Sequence, residues 1–211
     1  MEITIANATK TIGKTCVLDN VSLTLHSGTV YGLQGPNGSG KTMLMRLVSG
    51  LIHPTTGAVW IDDKKLGEDI DFPISMGLMI ENPAFLPGYT GMKNLELLAA
   101  INSTISGEEI RQTLIDVGLD PDDARKYRKY SLGMKQRLGI AAAIMEKPKL
   151  IILDEPTNAL DSTGVKQICA LIRRECERGA LILLSCHSDT TLDKISDIIF
   201  TVTEGKVEKR T

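Results

Sequence analysis

Apolar and polar positions alternate through the early part of the chain. The stretches EITIANAT, CVLDNVSLTL and GAVWIDD keep this period of two and are joined by Gly, Thr and Asn turns. That is the pattern of half-buried antiparallel strands. TVYGLQG (29–35), LIILDE (150–155) and ALILLS (180–185) differ: they are short and apolar almost throughout. Such runs predict strands covered on both faces, as in a parallel sheet. Residues 41–50 read as a helix after the first run and 161–178 as a helix between the second and third. This alternation builds a parallel α/β layer. In the middle, MKNLELLAAI, EEIRQTLIDVGL and GMKQRLGIAAAIM have helical spacing, with Leu95, Leu98 and Ala99 on one stripe and Ile110, Leu114 and Val117 on another. The expected organisation is one domain over 1–211. Residues 1–90 and 146–211 form an α/β core with a mostly parallel sheet and an N-terminal antiparallel β part, and 91–145 form an inserted α-helical subdomain.

Composition narrows the function. A 42% hydrophobic content over 211 residues supports a sizeable core. The formal net charge of -2, without a Lys/Arg block, disfavours a nucleic-acid or membrane-surface binder, and 4% aromatics disfavour a stacking platform for single strands. Cys16, Cys169, Cys176 and Cys186 have neither metal-ligand nor redox spacing, which suits reduced thiols in a cytosolic protein. The start MEITIANATK carries no signal-peptide pattern, and the longest apolar runs, LGIAAAIM and ALILLS, are too short to span a bilayer. If the protein serves a membrane process, another chain must cross the membrane.

The chemistry starts at GPNGSGKT (35–42), which fits G-x-x-x-x-G-K-[ST] between a predicted strand and helix. The glycines let backbone N–H groups face a β-phosphate, Lys41 can reach the β- and γ-phosphates, and Thr42 can offer a hydroxyl to Mg²⁺. The core is therefore expected to be a P-loop NTPase. Asp154 ends an apolar strand, where a carboxylate can hold Mg²⁺ through water, and Glu155 can accept a proton from the attacking water or orient it. His187 follows the third buried strand; strand ends in open α/β sheets converge on the ligand. Its imidazole could hydrogen-bond a γ-phosphate and orient Glu155 or water.

These motifs, in this order, resemble the nucleotide-binding subunits of ABC transporters over nearly the whole chain. GPNGSGKT stands as the Walker A motif, LIILDE as Walker B, NALD (158–161) as the D-loop and SCHS as the switch-histidine segment. YSLGMKQR (130–137) stands where that family has its L-S-G-G-Q signature. The resemblance implies ATP and Mg²⁺ as cofactors. It places Gly35, Pro36, Asn37, Gly38, Ser39, Gly40, Lys41, Thr42 and Met43 around the nucleotide, Ile12 and Val17 on the base, Thr42, Glu81 and Asp154 toward the metal, and Glu155 and His187 in catalysis. It also implies a second ATPase subunit packed head to tail, whose Ser131, Gly133 and Asp161 reach the nucleotide in trans. A helix N-terminus carries about half a positive charge, which favours an anion there; Ser131 is equally suited to cap the helix.

SLGMKQRLGIA and GLMIENPAFLPGYTGMKNL resemble the bacitracin- and lantibiotic-type exporter subunits in particular. Glu81 stands where most ABC proteins carry Gln; a carboxylate is a competent Mg²⁺ ligand and adds a negative charge. Leu132 and Met134 depart from the signature, Ile12 replaces the usual adenine-stacking aromatic, and the chain stops soon after VTEGKVEKRT, where many relatives continue into an extension. The function implied is an ATPase subunit, cytoplasmic and peripheral at the inner face of the membrane. It would drive a separate transmembrane permease exporting a peptide antibiotic or other small amphipathic compound, with no nucleic-acid partner. The alternative is a soluble ABC ATPase acting as an assembly or regulatory factor. Phe85, Leu86 and Tyr89 are the candidate apolar pocket for a permease segment.

Overall fold

The computed structural model describes residues 1–81, 83–186 and 188–210. The alternating early stretches form the expected antiparallel sheet, in the order β2 (Thr15–His26), β1 (Glu2–Ile12), β4 (Thr56–Ile61), β5 (Lys64–Lys65). The second sheet runs β10 (Lys206–Lys209), β9 (Ile198–Thr203), β3 (Val30–Gln34), β8 (Leu181–Ser185), β7 (Leu150–Leu153), β6 (Met76–Met79). All its pairings are parallel except that of the edge strand β10 with β9.

The three apolar runs became the central strands because both faces are covered. Ile151, Leu153, Ile182 and Leu184 point into one apolar cluster, and their neighbours Leu150, Ile152, Leu181 and Leu183 into another. α1 (Lys41–Val48) and the antiparallel sheet cover the second cluster; α4 (Leu132–Ile144), α5 (Ser162–Glu177) and α6 (Asp189–Ile195) lie on the first. The middle region is helical as the spacing predicts, with α2 (Gly91–Asn102) and α3 (Gly107–Asp116) leading to α4. Leu95, Ala99, Ile110, Leu114 and Val117 are buried. Leu98 is not: it is 38% exposed. α2 also carries Leu97 and Ile101 on its open side, so apolar character alone does not mark its buried face. Cys176 is buried and Cys169 half-buried, and no cysteine is bonded to another among the described residues. No described helix is long and apolar enough to cross a membrane.

Candidate active site

The loop between β3 and α1 positions the first half of the site. Gly35, Gly38 and Gly40 have φ of 152°, 79° and 117°, a region side-chain-bearing residues avoid. A Cβ at Gly35 would lie 2.2 Å from the Val202 carbonyl oxygen, so the loop also needs glycine for its packing against β9. The Ser39 hydroxyl is 5% exposed as a residue and has no hydrogen-bond partner among the described residues. Lys41, 7% exposed, donates from Nζ to the carbonyls of Gly35 at 2.6 Å and Pro36 at 3.0 Å. Its ammonium thus lies across the concave side of the loop.

Strands β7 and β8 supply the second half. Thr42 Oγ1 donates to Asp154 Oδ2 at 2.7 Å, and Ser185 Oγ donates to Asp154 Oδ1 at 2.6 Å. The Glu155 N–H donates to the same Ser185 hydroxyl at 2.9 Å, and Gln136 Nε2 of α4 donates to the Glu155 carbonyl at 2.8 Å. Glu155 itself has φ 53°; non-glycine residues held there cluster at functional sites. Thr42, Gln136, Asp154 and Glu155 line one cavity of about 400 Å³, together with Val17, Lys41 and Glu81. Asn37, Gly38, Gly40 and Met43 also line it, whereas Gly35, Pro36 and Ser39 do not. Gln136, Asn158 and Ser185 were not legible as site residues. The one signal for Ser185 is a polar residue ending an otherwise apolar strand.

A phosphate group and a hydrated Mg²⁺ suit this donor set. The loop offers amides, an ammonium and the buried Ser39 hydroxyl. Thr42 and Asp154 converge as hard oxygen ligands, and Mg²⁺ is commonly held by one or two carboxylates plus substrate phosphates. No group of three or more His, Cys, Asp or Glu that could hold a metal ion exists among the described residues.

The remaining predicted residues lie apart. Ile12 ends β1, 51% exposed and outside the cavity lining. Ser131 caps α4, accepting from the Met134 N–H at 3.2 Å, and Asp161 caps α5, accepting from the Gly164 N–H at 2.8 Å. A Cβ at Gly133 would lie 2.8 Å from the Ala159 carbonyl oxygen, so the start of α4 packs directly on the 158–161 loop. None of these three lines the cavity. His187 lies outside the described residues.

A second cavity adjoins the first. It is lined by Arg46, Leu51, Ile80, Pro83, Phe85 and Leu98 among others, and Glu81 lines both. Leu86 and Tyr89 are half exposed and stand outside it. Its loop is tied to the signature segment: Tyr127 donates its hydroxyl to the Pro83 carbonyl at 2.6 Å and meets the Phe85 ring edge-on at 5.4 Å. The Gly91 N–H donates to the Tyr130 hydroxyl at 3.1 Å. Burial pushes both phenols above their ordinary pKa, so they remain protonated near neutral pH.

Comparison with known proteins places the chain in a family and a fold. The family description "ABC transporter" matches residues 18–158. The chain is 47% identical over 206 residues to the ABC transporter ATP-binding protein YybJ of Bacillus subtilis (strain 168), covering 98% of this chain and 94% of that protein. It is 40% identical to the bacitracin transport ATP-binding protein BcrA of Enterococcus faecalis, covering 94% of this chain but only 65% of that protein. A dimeric ATP-binding cassette solved in a post-hydrolysis state with ADP and Pi superposes with TM-score 0.88 at 25% identity, over 99% of this chain and 98% of that one.

Proposed function

We propose, from the premise that this chain belongs to the ABC transporter family and is an ATPase of that class, that it powers a separate membrane permease exporting a peptide antibiotic or other small amphipathic compound. The observation that carries the reading is the convergence of the glycine loop, Lys41, the Thr42–Asp154 pair and Glu155 on one cavity. Lys41 would exchange its two loop carbonyls for β- and γ-phosphate oxygens. Thr42, Asp154 and Glu81 would hold Mg²⁺, which when bound neutralises phosphate charge. Glu155 would accept the proton of the attacking water or orient it, with His187 beside the γ-phosphate. Val17 and Ile12 would cover the base by apolar contact.

Ser131, Gly133 and Asp161 act in trans in this reading, on nucleotide held by a second copy packed head to tail. They cap or open helices at the surface rather than line their own chain's cavity, which suits that role. The second cavity, lined among the described residues by apolar side chains apart from Arg46 and Glu81, would take a segment of the permease and so hold the chain at the inner face of the membrane. The substrate class rests on the similarity to a bacitracin transport protein; selectivity itself would lie in the permease.

The test is co-purification from native membranes solubilised in mild detergent, with ATP hydrolysis assayed on the product. Recovery with a polytopic membrane protein that stimulates hydrolysis is the expected result. Recovery with soluble proteins only would favour the assembly or regulatory ATPase, and a purified complex without ATPase activity would overturn the enzymatic role.

A further inference from the structure

We infer that Arg46 is a positioning residue: it holds the Glu81 carboxylate on the groove side of the wall between the two cavities, and release of this pair delivers Glu81 to the metal position. The inference rests on the reading of Glu81 as a metal ligand. Four observations meet here. Glu81 lines both cavities, whereas Arg46 lines only the groove. Their side chains form an ion pair. Glu81 is 62% exposed at its side chain, so burial does not fix the carboxylate in place and the pair does. Its backbone has φ 62°, so the chain turns there through a conformation that costs any side-chain-bearing residue.

The geometry of α1 gives the pair its meaning. Thr42 and Arg46 are four residues apart in this helix, hence on one face and about 6 Å apart along its axis. A carboxylate leaving the guanidinium therefore has about one helical turn to travel to stand beside the Thr42 hydroxyl. The strand end behind it is anchored, because the Asp154 N–H donates to the Met79 carbonyl at 2.7 Å. Glu81 can thus change partners while the metal-side groups keep their places. A segment entering the groove meets Arg46 directly, so the pair is where groove occupancy and the metal position touch.

The experiment uses binding rather than turnover. The purified chain is titrated with trinitrophenyl-ATP in Mg²⁺ and again in EDTA, and the ratio of the two affinities measures the metal contribution. Arg46→Ala is expected to raise that ratio about 1.4- to fivefold, the range exposed ion pairs span. Arg46→Lys, which can keep the pair, should stay near the parent. In a Glu81→Ala background, where the ratio starts lower, Arg46→Ala should change nothing. An equal rise in that background would mean that a lost cation acts through space, and an unchanged or lower ratio for Arg46→Ala alone would mean that Arg46 does not restrain Glu81. Either result overturns the inference and leaves Glu81 as a ligand intact. A Glu81→Ala ratio equal to the parent's would remove Glu81 from the metal site and the inference with it.

Discussion

In the proposed reading, Ile12 and Val17 cover the base by apolar contact, without an aromatic. Val17 lines the cavity, while Ile12 stands half exposed at the end of β1. An aromatic over the base adds about 0.5–1.5 kcal/mol beyond area burial, which is about a 2- to 12-fold change in dissociation constant. Ile12→Tyr should therefore tighten ATP within that range and leave inorganic triphosphate unchanged, as titration of both ligands would read. Equal binding of ATP by the two proteins would place the base elsewhere. Ser131 calls for a substitution that keeps its cap, because the hydroxyl accepts from the Met134 N–H. Asp caps helices as well as Ser does, yet brings a negative charge toward a partner's phosphate. Ser131→Asp should keep the melting temperature and monomer ATP affinity, and lose ATP-dependent dimerisation on a sizing column.

At the scale of elements, β6 and α4 pack so closely that Gly77 has no substitute. A Cβ there would lie 1.6 Å from the Ala143 carbonyl oxygen, a backbone atom that cannot swing away. Overpacking costs about 1–3 kcal/mol in ordinary cores. Gly77→Ala should reach at least the top of that range in urea unfolding. A second element contact is sensitive to acid. Asp197, between α6 and β9, loses by burial but gains more from Arg173 on α5 and the Val30 N–H on β3, so its carboxyl sits below its ordinary pKa. The stability it lends is present above about pH 4, the unfolded value, and disappears as pH falls through the lower folded value. Asp197→Asn should lower the melting temperature at pH 7 and flatten its fall in acid. The long elements were legible because each carries its own period or an unbroken apolar run. β6 is a short apolar run (MGLM) interrupted by Gly77, with a loop of mixed residues before it; its place comes from pairing with β7, whose first residue Leu150 lies opposite Met76. Likewise the loop, Asp154 and Glu155 could be read from local motifs, whereas Gln136, Ser185 and Arg46 join the site only through contacts distant in sequence.

For the whole molecule, the proposed reading turns on the fact that Ser131, Gly133 and Asp161 stand outside the cavity of their own chain. That cavity is lined by Gly38, Gly40, Lys41, Thr42, Asp154 and Glu155, but not by those three. A second copy facing the first would bring the two sets together, and ATP would then lie in the interface. Hydrolysis destroys that ligand, so the closed pair should persist only where chemistry is stopped after binding. Glu155→Gln does this with least disturbance. It keeps the size of the side chain, and the backbone contacts of residue 155 to Ser185 and Gln136 do not depend on the carboxylate. A general base contributes about 10²–10⁴-fold, so turnover should fall by that factor while ATP affinity holds. The variant with ATP and Mg²⁺ should elute as a dimer, and with ADP as a monomer. Adding Ser131→Asp to it should return the ATP-bound protein to monomer. Parental turnover in Glu155→Gln would take the proton-accepting role from Glu155. A dimer that forms equally well without nucleotide would mean that ATP is not what joins the two copies.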